Sequence, residues 1–251
     1  MSATTKTASK GWQGAMLKLY RADDFEVTVT GSEQVTDHYV RVHFSGPELL
    51  AATPVHPTMW VRAWFEADGK LHQRGYTLVD PDPDAGTFAI EFAVHDGTAA
   101  RWAQQATAGE ILPVTVMGSK FRLPEPSPKG WLIAGDTASM AAINSLLDAL
   151  TAAGSDAPVT LWFEYQHEDD RTLPLRARPQ DTVHWVARER DGEALVDAVR
   201  DAAFDAQGHF GWIALDDRST RAVSAILKND YKVGRKEVKA LAYWRVGKSF
   251  A

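Results

Sequence analysis

A chain of 251 residues with 45% hydrophobic and 24% charged side chains has the composition of a folded protein, with room for one large domain or two of ordinary size. It contains no cysteine, which excludes disulfides, thiol redox chemistry, zinc–thiolate sites and cysteine-held iron–sulfur clusters. A net charge of −6 argues against general nucleic-acid or membrane binding, and no apolar run approaches the ~20 residues of a membrane span.

Taken in chain order, residues 1–14 lack the apolar stretch of a secretory signal and are expected to be a flexible start, so the chain is read as cytoplasmic. Strand patterns follow at 25–30, 39–44, 60–65, 75–79, 87–94 and 111–117, with turn signals at 67–70 and 80–86. This spacing predicts an antiparallel six-stranded β-barrel over residues 15–123, interrupted by a helix near 99–106. Prolines at 124, 126 and 128 mark a linker over 124–130. Beyond it, apolar runs at 131–134, 159–165, 183–186, 212–215 and 238–244 alternate with helical patterns at 139–152, 193–206 and 220–229. That alternation predicts an α/β domain with a parallel sheet over 131–251.

The sharpest local motif is Arg74, Gly75, Tyr76 and Thr77. On a strand, Arg74 and Tyr76 share one face, while Gly75 and Thr77 share the other. An arginine beside an aromatic suits a cofactor that carries both a phosphate and a flat ring, and the Thr77 hydroxyl can bond to a ring nitrogen. A surface arginine beside an ordinary strand tyrosine is the plainer alternative. Farther on, Gly97 permits a tight turn before a helix whose first amides, on Thr98, Ala99 and Ala100, form a ready site for a pyrophosphate. Trp102 serves equally well as a core anchor. Gly135, Asp136, Thr137, Ala138 and Ser139 end the first strand of the second half, where an α/β domain receives a nucleotide.

In this order, Arg-x-Tyr-Thr at 74–77, the run from Val94 and His95 through Trp102, the Gly-Asp segment from 135, and Tyr243-Trp244-Arg245 near the end resemble the siderophore-interacting protein family of the ferredoxin-reductase superfamily. Residues 118–121 and 164–170 also resemble the flavin domain fused to actinobacterial siderophore importers, and a stand-alone version of that domain is expected. The resemblance implies FAD-dependent reduction of ferric siderophores with electrons from NADH or NADPH. It implies that Arg74, Tyr76, Thr77, Val94, His95, Gly97, Thr98, Ala99, Ala100 and Trp102 hold FAD, with Thr77 as the catalytic residue beside the flavin ring. Gly135, Asp136, Thr137, Ala138 and Ser139 then face the nicotinamide nucleotide, and Tyr243 and Trp244 lie near the flavin or simply pack the last strand. Three positions depart from the family pattern: Ala138 stands for its threonine, Ala141 for its proline and Ala242 for its glycine. Thr137 and Ser139 are the candidates to supply the missing hydroxyl.

Charge is unevenly spread: residues 228–248 carry +5 and the rest of the chain −11. Lys232, Arg235, Lys236, Lys239 and Arg245 are therefore expected to bind an anionic siderophore or a cofactor phosphate, the alternative being a solvated helix face. Arg171, Arg188 and Arg190 lie near plausible ribose-phosphate positions. The acidic stretch 167–170 reads as a polar loop and no metal site is expected. A functional link to an importer and a monomer or weak dimer complete the reading. Two rivals stay open: a reductase of free flavin or ferredoxin, and a module that binds flavin or siderophore without turnover.

Overall fold

The computed structural model describes residues 23–116 and 119–247. The expected flexible start at 1–14, Met117 at the end of the sixth expected strand, and Lys248 lie outside the described residues. The chain falls into two compact units, one holding Tyr39–Lys120 with the chain up to Gln34, the other running from Phe121 onward and taking in Val35–His38.

In the first unit the strands are β1 (Asp23–Thr36), β2 (Tyr39–Ser45), β3 (Trp60–Ala67), β4 (Lys70–Thr77), β5 (Val79–Asp82), β6 (Thr87–Ala93) and β7 (Ile111–Val116). They form one antiparallel sheet in the order β4-β3-β7-β1-β2-β6-β5. Among the described residues two helices accompany them, α1 (Pro47–Ala52) and α2 (Thr98–Gln105). Alternation sets the register: Val40, Val42 and Phe44 of β2 lie opposite Phe92, Ile90 and Phe88 of β6, and all six are core residues.

The strand count is seven, not the expected six. The run at 75–79 is two strands, β4 and β5, which lie at opposite ends of the sheet order. The chain turns at Leu78, whose side chain is buried and whose N–H bonds to the Met59 carbonyl at 2.8 Å. Asp80 then takes a left-handed backbone, φ 47°. Tyr76, Leu78 and Val79 carry no mark of such a turn, because burial rewards the same residues on either strand. Helix α1 was not expected either, although Pro47 occupies its first turn, where proline is well placed.

The second unit contains β8 (Trp131–Asp136), α3 (Met140–Ala152), β9 (Val159–Tyr165), β10 (Thr182–Ala187), α4 (Glu193–Asp201), β11 (Phe210–Ala214), α5 (Asp217–Asn229) and β12 (Val238–Ala240). All five strands run parallel in the order β10-β9-β8-β11-β12. The chain winds outward from β8 in one direction through β9 and in the other through β11, so the switch point lies between β8 and β11. Leu132 and Ala134 of β8 share a core with Leu195 and Val199 of α4 and Val223 and Leu227 of α5. Gly135 faces Ile143 of α3, which places that helix against the opposite face.

Three boundaries differ from expectation. Helix α4 stops at Asp201, not at 206. Helix α5 starts at Asp217, because the Asp216 carboxylate accepts from the N–H groups of Arg218 (2.9 Å) and Ser219 (3.1 Å). The closing strand is regular only over Val238–Ala240, yet Leu241 and Tyr243 still donate to the carbonyls of Ile213 (2.9 Å) and Leu215 (2.8 Å).

Candidate cofactor and substrate site

In the first unit, Arg74 lies opposite Ala63 and Tyr76 opposite Val61, both core positions, while Gly75 and Thr77 lie opposite Arg62 and Trp60. The expected division of faces is therefore present. The Tyr76 ring sits 4.5 Å from Phe92 and 6.0 Å from Phe65. Burial pushes its phenol above the usual tyrosine range, and the charge of Arg74 partly offsets this. Trp102 of α2 packs 5.2 Å from Phe65 and 6.0 Å from Phe92, so it anchors α2 on the aromatic core. Val94 is half-buried against the same core.

Arg74 donates to the Gln73 carbonyl at 2.7 Å, and its charge reaches His95 as well as Tyr76. The imidazole of His95 is held below its ordinary value by burial first, then by Arg74 and Arg101, against the pull of Asp96. The charge of Arg74 thus acts on both Tyr76 and His95, and the His95 ring lies beside Gly97 at the start of α2. Gly97 caps that helix in an extended conformation without a side-chain cap, leaving the amides of Thr98, Ala99 and Ala100 in its uncapped first turn. A Cβ on Gly97 would lie 2.2 Å from Cε1 of His95, so a larger residue here must displace that ring. Thr77 is buried, at 7% exposure.

Arg62 was missed by sequence reasoning. Its guanidinium lies 4.8 Å from the centre of the Trp60 ring, its buried Nε has no hydrogen-bond partner, and burial holds its pKa below the ordinary value. It stands across the β3–β4 pair from Gly75, which has no side chain to cover it. An arginine between the apolar residues Trp60, Val61, Ala63, Trp64 and Phe65 was the available signal.

In the second unit, the turn from Gly135 to Ser139 is closed upon itself. A Cβ on Gly135 would meet Ile143 Cδ1 and Ser139 Oγ, each at 2.5 Å. The Ser139 hydroxyl accepts from the Asp136 N–H (2.9 Å) and donates to the Asp136 carbonyl (3.0 Å), while Asp136 Oδ1 accepts from the Ser139 N–H (3.2 Å). The Ser139 hydroxyl, a candidate to face the nucleotide, is thus engaged by the Asp136 backbone. Thr137 is buried and Ala138 exposed.

The second carboxylate oxygen of Asp136 accepts from the indole N–H of Trp244 at 2.7 Å. Arg188, just past β10, lies 4.8 Å from the Trp244 ring centre, pairs with Glu164 and stands 3.6 Å from Asp216. Burial, reinforced by the charge of Glu164, pushes Asp136 up to about 7, although the Trp244 and Ser139 hydrogen bonds and Arg188 oppose the shift. Glu164 is likewise raised by burial, against the pull of Arg188. Three carboxyl groups, one guanidinium and an indole thus gather at the carboxyl ends of the strands, around the switch point. Glu164 and Asp216 were not foreseen; an acid ending each apolar run was the signal. Tyr243 lies edge-on to Trp212 of β11 (6.2 Å), as the strand-packing alternative had it.

The expected basic patch is not one helix face. Lys232 donates to the Asn229 carbonyl (2.5 Å), Arg245 to Asp217 (2.9 Å), and Lys239 lies 4.7 Å from the Phe121 ring centre. Arg235 and Lys236 occupy an exposed 3-10 turn, Arg235–Glu237. Arg171 and Arg190 pair with Glu168 (3.2 Å) and Asp197 (2.9 Å), so with Arg188 all three ribose-phosphate candidates have acidic partners.

Comparison with known proteins adds lineage to this geometry. Residues 25–119 match the family described as siderophore-interacting FAD-binding domain, and residues 128–247 the one described as siderophore-interacting protein. The mycobactin import ATP-binding/permease protein IrtA of Mycolicibacterium thermoresistibile is 34% identical over 250 residues, covering 96% of this chain. This chain spans only 27% of that protein's length. The ferric vibriobactin reductase ViuB of Vibrio cholerae is 26% identical over 70% of this chain and 65% of its own. A siderophore utilization protein from T. fusca superposes with a TM-score of 0.79 at 22% identity, covering 92% of this chain and 95% of its own. The ferredoxin reductase of carbazole 1,9a-dioxygenase gives 0.69 at 18% identity, covering 89% of this chain and 70% of its own. At those identities the two structures establish the fold alone, which is ferredoxin-reductase-like.

Proposed function

The chain belongs to the siderophore-interacting protein family, and from that premise we propose that it holds FAD and uses it to reduce ferric siderophores with electrons from NADH or NADPH. The observation that carries the reading is the uncapped start of α2 with the His95 ring beside Gly97, within reach of the charge of Arg74, which also acts on Tyr76. These residues fit the cofactor. The first amides of α2 are uncapped, and a Cβ at Gly97 would press on the His95 ring beside them. Arg74 is suited to phosphate oxygens, Tyr76 to the edge of a flat ring, and the Thr77 hydroxyl to a ring nitrogen. Bound FAD supplies the redox chemistry, accepting a hydride and passing electrons on singly. The substrate is Fe(III) in hard oxygen ligands, which hold Fe(II) far less tightly, so reduction frees the metal. Likeness to ViuB and to IrtA supports a place in siderophore-iron use.

The test is the visible spectrum of protein incubated with FAD and then desalted. Wild type is expected to retain a flavin spectrum and Arg74→Ala/Tyr76→Ala to lose it. Anaerobic NADH and NADPH are then expected to bleach the flavin, and a ferric siderophore to restore its colour while Fe(II) appears on a chromogenic chelator. A wild type that retains no flavin ends the proposal. One observation favours a second reading, a binding module without turnover: the Gly135–Ser139 turn uses its polar groups internally, and Trp244 occupies Asp136. Retained flavin that dithionite bleaches and neither nicotinamide does would select that reading.

A further inference from the structure

A groove of about 600 Å³ runs between α5 and the terminal strand of the second unit. One wall is a single face of α5, since Asp217, Arg221, Ser224 and Lys228 recur at helical spacing and all line it. From the first of these to the last, that wall is roughly 16 Å long at 1.5 Å per residue. Its floor is small: Ala225 on the helix, Ala240 and Ala242 on the strand.

The strand supplies donors. Leu241 and Tyr243 send their N–H groups to carbonyls of the β11 segment. Backbone groups alternate along a strand, so the amides of Ala240 and Ala242 point the other way, and β12 is the last strand in the sheet order. Both alanines line the groove, and neither side chain is large enough to cover an amide.

The charge is positive and incompletely matched. Arg221, Lys228 and Arg235 all line the groove. The acid among its lining residues, Asp217, lies 3.4 Å from Arg221 but is shared with Arg245 at 2.9 Å. Lys228 Nζ is held by the Ser224 hydroxyl at 2.8 Å. Among the described residues no carboxylate is recorded within ion-pair distance of Lys228 or Arg235.

We propose that this groove binds a small polyanion, a molecule with two or more phosphate or carboxylate groups, gripped by Arg221, Lys228, Arg235 and the amides of Ala240 and Ala242. Guanidinium groups and fixed amides together are the donor set that such oxyanions require. Bulky Lys- or Arg-rich surfaces attract any anion diffusely. A groove with small residues at its floor and amides along one side selects a ligand that enters it. The inference stands apart from flavin binding and uses none of its residues.

Isothermal titration calorimetry at constant ionic strength tests it, with pyrophosphate, citrate and acetate as probes. Pyrophosphate or citrate is expected to bind saturably with a Kd below about 1 mM, and acetate not to saturate. Binding of pyrophosphate alone marks a phosphorylated ligand, and of citrate alone a polycarboxylate. Arg221→Ala/Lys228→Ala is expected to weaken binding by about tenfold or more. Ala242→Leu, which fills the floor without changing charge, should do the same. Lys236→Ala removes one nearby charge that does not line the groove and should leave binding unchanged. No saturable binding of either polyanion overturns the proposal, as does equal weakening by Lys236→Ala, which marks diffuse attraction. Should Ala242→Leu fail to fold, the arginine–lysine pair still decides. Flavin retention is expected to be unaffected in every variant, so failure here and failure of the reductase reading are separable.

Discussion

Asp136 accepts from Trp244 and Ser139 in a place where little water remains to solvate its charge, and its pKa rises to about 7 from an ordinary 3.8. Between those values the folded protein holds the proton and the unfolded chain does not. Stability contributed at this site therefore falls as pH rises through the window, and the cost is complete above about pH 7. Asp136→Asn removes the titration but turns an amide donor toward one of two N–H groups. The variant is expected to be less stable than wild type near pH 5 and to recover by a few kcal/mol relative to it by pH 8, at about 1.4 kcal/mol per pKa unit. Urea denaturation at both pH values checks this; a difference between the proteins that stays constant with pH would sink it. At Gly97, alanine must displace the His95 ring, which a Cβ would approach to 2.2 Å. Gly97→Ala is expected to weaken FAD retention by about tenfold or more, and its midpoint of unfolding should recover when His95→Ala makes room.

Elements meet in this fold through their ends. Arg188, following β10, neutralises Glu164 in β9 and Asp216 after β11, and lies over Trp244 of the terminal segment. Replacing it leaves buried carboxylates uncompensated, a change that costs about 3–5 kcal/mol in comparable sites. Arg188→Met is thus expected to lower the denaturation midpoint strongly, and a near-neutral result would show that water reaches the cluster. Trp244→Phe keeps the ring over Arg188 but orphans one oxygen of Asp136, for an expected loss of about 1–3 kcal/mol in the same measurement. Secondary structure was legible at this scale wherever a period was unambiguous. The alternation in β2 and β6 and the helical pattern of α3 follow directly from which residues must be buried. The break at Leu78 and the shortened closing strand were not legible, because apolar residues look the same on either side of a bend.

At the scale of the whole molecule, each unit carries its own apolar core, one built on the antiparallel sheet and one on the parallel sheet. A ligand that binds only the folded state raises stability by mass action. If the FAD reading holds, FAD at 100 times its Kd is expected to add about 2.7 kcal/mol, seen as a rise in midpoint that Arg74→Ala/Tyr76→Ala abolishes. An unchanged midpoint in wild type would contradict it.

What the sequence determined by itself was the kind of chain this is. Burial periods of two and then of mixed strand and helix type dictate an antiparallel half and a parallel half, since each pattern can hide its apolar face in only one way. The Arg74–Thr77 motif and Gly97 were readable for the same reason, as local chemistry within a few residues. Only the tertiary structure decided which distant groups meet. It set the His95 ring beside Gly97, left Arg62 with an unused donor, closed the Gly135–Ser139 turn on itself, and set Asp136, Glu164, Asp216, Arg188 and Trp244 together at the strand ends. It also divided the basic residues of the final segment between ion pairs and an open groove. Those outcomes depend on strand order and crossover geometry, which are fixed by the packing of whole elements and leave no trace in the spacing of residues along the chain.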